Sequence, residues 1–596
     1  MTCARAHRLR ALHHTRAAIV SLLALHGTAC AHRPSSKPPP RAVQLQVQIT
    51  KQTPEPPGWQ DFVAGFIEEY LAAQPSVGVA LGRHEFDGQL PDWSQAGIAR
   101  HIDRLVRARD TALAYTDTVL SADERFQRAY FVTRMNNELF WLRDARAPFV
   151  NPAYYFEAGL DPNSYVSMPY APLDVRMRAF IAYARKIPDA ASQIRSNLAQ
   201  PLPRTFIDYA TLGFSGFAQF YRTEVPQVFA AVSSPELQAE LRAAIEPAAQ
   251  AMLALANMLE SERPEATENF SLGAERFTRM LEQTEAVTTP LPELQEIAHK
   301  DLARNLAALE TACSRYLPSG TLRACVDKEA ADKPAEGSVS GARGQLAMLK
   351  QFVADHALAS IPGDAEALVA EAPAYQRQNF AYIDIPGPYE KSLPAIYYIA
   401  PADPSWTPAE REAYLPGKAD LLFTSVHEVW PGHYLQFLHS NQSAWRFGRV
   451  FVGYAFAEGW AHYTEELMIE EGLANSEPGL WVGQLLNALL RNVRFACALG
   501  LHTQNMSVEQ CEELFRSQAF QDPGNARQQA ARGTYDPAYL NYTIGKLMLR
   551  KLRSDWQAEN PGRPIREFHD AVLDVGGPPI PLLRERLLKH PDQQLF

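Results

Sequence analysis

The sequence predicts a mainly helical fold with one small β-sheet beside a histidine-bearing helix. Three observations carry that expectation. Apolar residues recur at helical spacing through most of the chain. One stretch rich in aromatic and β-branched residues, punctuated by Pro and Gly, interrupts the pattern. No internal repeat of fixed period is present, which excludes a solenoid or propeller.

The N-terminus stands apart from that fold. Arg5, Arg8, Arg10 and Arg16 precede the apolar run Ala17–Leu25, which is short for a bilayer span and reads as the core of a signal peptide over residues 1–30. Ala29-Cys30-Ala31 fits ordinary cleavage, whereas Thr28-Ala29-Cys30 resembles a bacterial lipobox that would leave a lipidated Cys30; Gly27 stands where that motif usually has Leu. Export to the periplasm, or to the outer membrane as a lipoprotein, is therefore expected. Residues 31–57 are Pro-rich and polar and read as a spacer. A helical domain is expected over 58–596.

From Trp59, the residues Phe62, Val63, Phe66, Ile67, Tyr70 and Leu71 trace one helix face. The same periodicity returns in "RAFIAYARKIPDAASQIRSNL" and "LQAELRAAIEPAAQAMLALANMLESE". The interlude "NFAYIDIPGPYEKSLPAIYYIAP" predicts short strands at Phe380–Asp384 and Ala395–Ile399, and helical spacing resumes at Asp420. Cys313 with Cys325 and Cys497 with Cys511 form two close pairs, and in an oxidising compartment four cysteines allow three connectivities. Apolar content of 46% excludes global disorder, and a net charge of −10 argues against a nucleic-acid partner.

The chemistry concentrates in "TSVHEVWPGHYLQ", Thr424–Gln436. His427-Glu428 opens like the zinc-binding H-E-x-x-H helix, but Pro431 replaces the second histidine and the next one is His433. Six residues turn an ideal helix through about 240° beyond one full turn, so a straight helix cannot aim both rings at one ion. Pro431 and Gly432 permit the break that would. Downstream, "FVGYAFAEGWAHYTEELMIEEG" places Glu458, His462 and Glu465 on one face, with Glu466 beside them. Glu458 lies among apolar and aromatic neighbours, where a carboxylate is costly unless it is paired or binds metal.

"HEVWPGHYLQ", "AEGWAHYTEEL" and "ARGTYDPAYLNYTIGKLMLRKLR", in that order, resemble the bacterial domain-of-unknown-function 885 family, which in turn looks like the gluzincin metallopeptidases. The resemblance runs from about Trp59 to the C-terminus and is sharpest over 420–550. It implies one zinc ion held by His427, His433 and Glu458, with Glu428 as general base and Tyr542 stabilising the oxyanion. It offers His462, Arg494 and His502 as supporting or substrate-contacting residues; Arg494 and His502 would hold a substrate carboxylate or join two helices. Two departures stand out. Tyr434 follows His433 where many relatives have a second histidine, and Ala498 replaces an aspartate often found before the family's G-x-H element. Sites of this kind bind peptide along an edge strand, and Ala395–Ile399 is the expected edge.

The leading expectation is an exported zinc peptidase acting on short peptides, as an oligopeptidase, carboxypeptidase or dipeptidase. A zinc hydrolase of another amide or ester would use the same chemistry. An envelope-anchored binding protein with a vestigial site would need no Glu428 beside the histidines.

Overall fold

The computed structural model describes residues 58–596 except 374, 375, 378, 379, 391, 392, 403–405 and 476. The signal peptide, Cys30 and the 31–57 spacer lie outside the described residues. The described residues from 58 to 596 form one unit.

The apolar periodicities become helices. α1, Trp59–Ala73, buries Trp59, Val63, Phe66, Ile67, Tyr70 and Leu71. The next two predicted stretches give α2, Leu173–Ala184, and α3, Ile187–Asn197, then the long α5, Pro235–Glu262, which packs on α4, Arg204–Thr223. These four share one apolar core. α6, Leu291–Tyr316, and α7, Leu322–Ala331, belong to a second and larger core.

Between them and the motif lies the predicted sheet, with three strands rather than two. β1, Ala367–Glu371, pairs in parallel with β3, Ala395–Ile399, and β2, Ala381–Asp384, pairs antiparallel with β3's other side. The sequence does not announce β1: Val369 is its one β-branched residue, and pairing with β3 imposes the strand. β3 is consequently the central strand. The expectation that Ala395–Ile399 offers a free edge to peptide is overturned, because both edges are already hydrogen-bonded. The sheet's cleft-lining outer strand is β2. Tyr397 of β3 is buried in the same core as Val426 and Trp430 of the motif, which places the sheet beside it.

The motif spans α8, Lys418–Glu428, and α9, His433–Gln442. After it come α10, Tyr454–Glu470; α11, Pro478–Thr503; α12, Val508–Gln518; α13, Pro523–Tyr535; and α14, Asn541–Glu559. α11 packs on α6 and α8, and α10 packs on α14. The second crossing is unusually close at two glycines. A Cβ on Gly459 would come within 2.5 Å of Gly545 Cα, and one on Gly545 within 2.2 Å of Ala455 O. The "E-G-W" and "Y-T-I-G" stretches are thus the two sides of one contact. No helix among the described residues is long and apolar enough to cross a membrane.

The two close cysteine pairs are the two disulfides. Cys313–Cys325 ties α6 to α7 and Cys497–Cys511 ties α11 to α12. Their separations of 12 and 14 residues correspond to about 3 kcal/mol each in the chain-entropy account. Thiol titration of the unfolded, unreduced 58–596 domain should find none of these four sulfurs free. Reduction should lower its thermal unfolding midpoint.

Candidate metal centre

The helix of Lys418–Glu428 ends where proline and glycine require. Val429 leaves helical angles (φ −121°, ψ −76°), and the Trp430–Pro431 peptide is cis. Gly432 (φ −73°, ψ −131°) donates its N–H to Val426 O at 3.0 Å before α9 begins at His433. A Cβ on Gly432 would fall 1.8 Å from His427 O, so this close backbone crossing admits only glycine. Trp460 fixes the turn from outside, donating its indole N–H to Pro431 O at 2.8 Å.

The break brings the two histidines together. Their ring centroids are 4.8 Å apart and the ring planes are nearly perpendicular, at 85°. Glu458 of α10 completes the group: its Oε2 lies 3.3 Å from His427 Nε2 and 3.4 Å from His433 Nε2. Donor atoms on a tetrahedral zinc, with bonds near 2.0–2.1 Å, are separated by about 3.3–3.4 Å. The three donor atoms all lie within 4.8 Å of one another. Glu458 Oε2 and His433 Nδ1 are buried with no hydrogen-bond partner among the described residues. Two imidazoles and a carboxylate, one oxygen of it unsatisfied, form a donor set suited to zinc, with room for further ligands.

The surrounding charges support this arrangement. Glu465, wholly buried, receives His427 Nδ1 at 2.8 Å, which fixes the tautomer so that the Nε2 lone pair faces Glu458. Glu465 also pairs with Arg491 at 3.2 Å and with His462 Nδ1 at 3.2 Å. Burial alone would raise the Glu465 pKa, but Arg491 and His462 outweigh it and hold the carboxyl well below its usual range. Burial and then the Arg491 charge oppose protonation of His427, yet the neighbouring carboxylates of Glu458 and Glu465 push it up to about 9. His462 is pushed down to about 3, first by burial and then by Lys546, and stands neutral behind Glu465.

Glu428, the last residue of α8, lines the cleft and has no hydrogen-bond partner among the described residues. Burial raises its pKa, opposed by His433 and His427. Tyr542 lies nearly parallel to the His427 ring, 15° between planes and 6.2 Å between centroids. Burial, reinforced by the Glu458 charge, raises its pKa, so the hydroxyl keeps a proton to donate. His427, Glu428, His433, Glu458 and Tyr542 all line one cleft of about 2530 Å³.

The other two residues singled out in the sequence differ from each other. Arg494 lines the same cleft beside Tyr542, its guanidinium carbon 4.7 Å from the ring centroid. His502 has both ring nitrogens engaged by backbone: Nε2 with Gly533 O at 2.7 Å, and Nδ1 accepting from Leu272 N at 3.2 Å. It ties α11 to α13 and to the 271–272 segment. Sequence reasoning missed Arg491, which had no motif to mark it, and Tyr454, which packs on Tyr542 at 6.0 Å. Glu465 was visible as a helix-face neighbour, though not as the partner of His427.

Fold and site together define a mainly helical protein whose interrupted histidine helix faces a large cleft. Over residues 75–587 the chain matches the family described as "Bacterial protein of unknown function (DUF885)", and it belongs to that family. Two solved structures share the fold. One, described as a lipoprotein of unknown function from Shewanella oneidensis, has a TM-score of 0.73 at 21% identity, covering 89% of this chain and 100% of that one. The other, described as a lipoprotein from Colwellia psychrerythraea, has a TM-score of 0.75 at 17% identity, covering 89% and 98%. No curated protein matches.

Purified protein should carry about one zinc per chain, and Glu458→Gln should lose it. Glu465→Gln keeps all three donors but frees the His427 ring, so its zinc affinity should fall about 10–100-fold. Metal analysis of both variants after dialysis against a graded chelator checks this.

Proposed function

We propose that this protein is an exported zinc-dependent hydrolase that cleaves short peptides, related in its chemistry to gluzincin metallopeptidases. The observation that carries the reading is the convergence of His427, His433 and Glu458, with Glu428 beside them on the same cleft wall. Zinc held there would supply Lewis acidity to a substrate carbonyl and acidify an attacking water.

The chain's own residues supply the rest. Glu428 accepts the proton of the attacking water and delivers it to the leaving amine nitrogen as the C–N bond breaks. The Tyr542 hydroxyl donates a hydrogen bond to the oxygen that gains negative charge. Glu465 keeps the His427 ring in orientation throughout. The peptide main chain pairs with the cleft-lining strand β2, Ala381–Asp384, in place of the central strand. A cleft of about 2530 Å³ exceeds what a small-molecule pocket needs and suits an oligopeptide.

Export is supported by two disulfides, which persist in oxidising compartments, and by the lipoprotein descriptions of the two structural relatives. We take Cys30 as the lipidated N-terminus of the mature chain; the mass of the mature N-terminus reads this directly.

Wild type and Glu428→Gln should bind zinc equally. Against a mixed peptide library, wild type should cleave and the variant should be slower by at least about 100-fold. Equal cleavage by both would remove Glu428 from the reaction. Zinc-loaded wild type that cleaves no peptide would turn the reading toward another amide or ester.

A further inference from the structure

Three guanidinium groups surround the Tyr542 ring: Arg494 at 4.7 Å, and Arg491 and Arg532 each at 5.8 Å from its centroid. Two of them are matched by acids. Arg491 pairs with Glu465 at 3.2 Å and Arg532 with Asp536 at 3.0 Å. Arg494 is not. It is 7% exposed, its Nε donates to the neutral Gln529 Oε1 at 2.9 Å, and no carboxylate pairs with it among the described residues. Burial, together with the charges of Arg532 and Arg491, lowers its pKa, which is the signature of a cation held at a cost. A buried charge left without a counter-ion is strongly unfavourable, and the Tyr542 ring face offsets only part of that. The position suits an anion that arrives from the cleft.

We propose that Arg494 binds the C-terminal carboxylate of the substrate peptide, making the protein a carboxypeptidase that releases one or two residues from the free C-terminus. This rests on the peptidase reading above and narrows it to a substrate class. A planar guanidinium matches a carboxylate with two parallel hydrogen bonds, which a point charge does not. Distance sets the length released. From Arg494 to the Tyr542 centroid is 4.7 Å, and from there to the His427 ring is 6.2 Å. The separation of Arg494 from His427 cannot exceed these two steps laid end to end, the reach of about three extended residues. The part of a peptide beyond its scissile carbonyl must fit inside that span together with the reacting groups. One residue fits extended, two fit along a bent path, and a longer extended C-terminal segment overruns the span.

The test compares N-acetylated peptides as free acids and as C-terminal amides, by cleavage with wild type and by binding to zinc-loaded Glu428→Gln. Wild type should prefer the free acids by roughly 100-fold in kcat/KM, the loss for amides falling mainly on KM. Free acids should bind Glu428→Gln more tightly than amides by at least about 10-fold, and adding Arg494→Gln should abolish the difference. Zinc content and helicity of the double variant check that it folds, and Arg494→Lys, which keeps the charge without the fork, should restore part of the preference. Equal binding of acid and amide overturns the proposal whatever the cleavage assay gives. So does a preference among amides that merely follows acidic side chains. Wild type that cleaves acids and amides alike overturns it while leaving the peptidase reading standing; zinc-loaded wild type that binds free acids selectively but cleaves nothing overturns the peptidase reading instead.

Discussion

Two histidines six residues apart can meet one ion only if the backbone between them stops being a helix. Much of the architecture around the centre serves that interruption. Val429 turns out of α8, Gly432 crosses directly over His427 O, and α9 restarts at His433. Because a Cβ at Gly432 would sit 1.8 Å from a carbonyl oxygen, the turn tolerates no side chain there. Trp460 holds it from α10 by its bond to Pro431 O, so the helix that supplies Glu458 also braces the turn that supplies His433.

That shared dependence explains why the motifs occur together. Glu458, Gly459 and Trp460 are consecutive, and each faces a different neighbour: the histidines, Gly545 of α14, and the turn. Close approach at Gly459 and Gly545 seats α14 against α10, with Tyr542 one turn before the contact and parallel to His427. Behind them, Glu465 and Arg491 form a buried pair that orients His427. Buried pairs of this kind contribute little net stability when complete and cost much when one partner is lost, so the pair is better understood as fixing geometry.

Much of this was legible in the sequence, and the exceptions have physical causes. Helices announced themselves by apolar period, as in α1 and α5, because each buries one stripe. If both histidines are to meet one ion, helix geometry requires a break at Pro431-Gly432; the cost of a carboxylate among aromatic residues made Glu458 a candidate beside His462 and Glu465, and the family resemblance singled it out as ligand. What sequence could not supply was pairing over long range. β1 is a strand because β3 lies beside it, and β3 is central because β1 and β2 flank it, which leaves β2 as the edge that lines the cleft. Arg491 lies 64 residues from the histidine it approaches. Nothing local distinguishes it from a surface arginine, nor Arg494 from a residue with an acid partner.

The account stands on the claim that the interrupted helix builds one zinc site. Anomalous diffraction at the zinc absorption edge, from crystals grown without chelator, tests it most directly. A single peak should appear about 2.0–2.2 Å from His427 Nε2, His433 Nε2 and the Glu458 carboxylate. A zinc peak elsewhere, or metal-replete crystals in which the two histidine rings point apart with no peak between them, would contradict it.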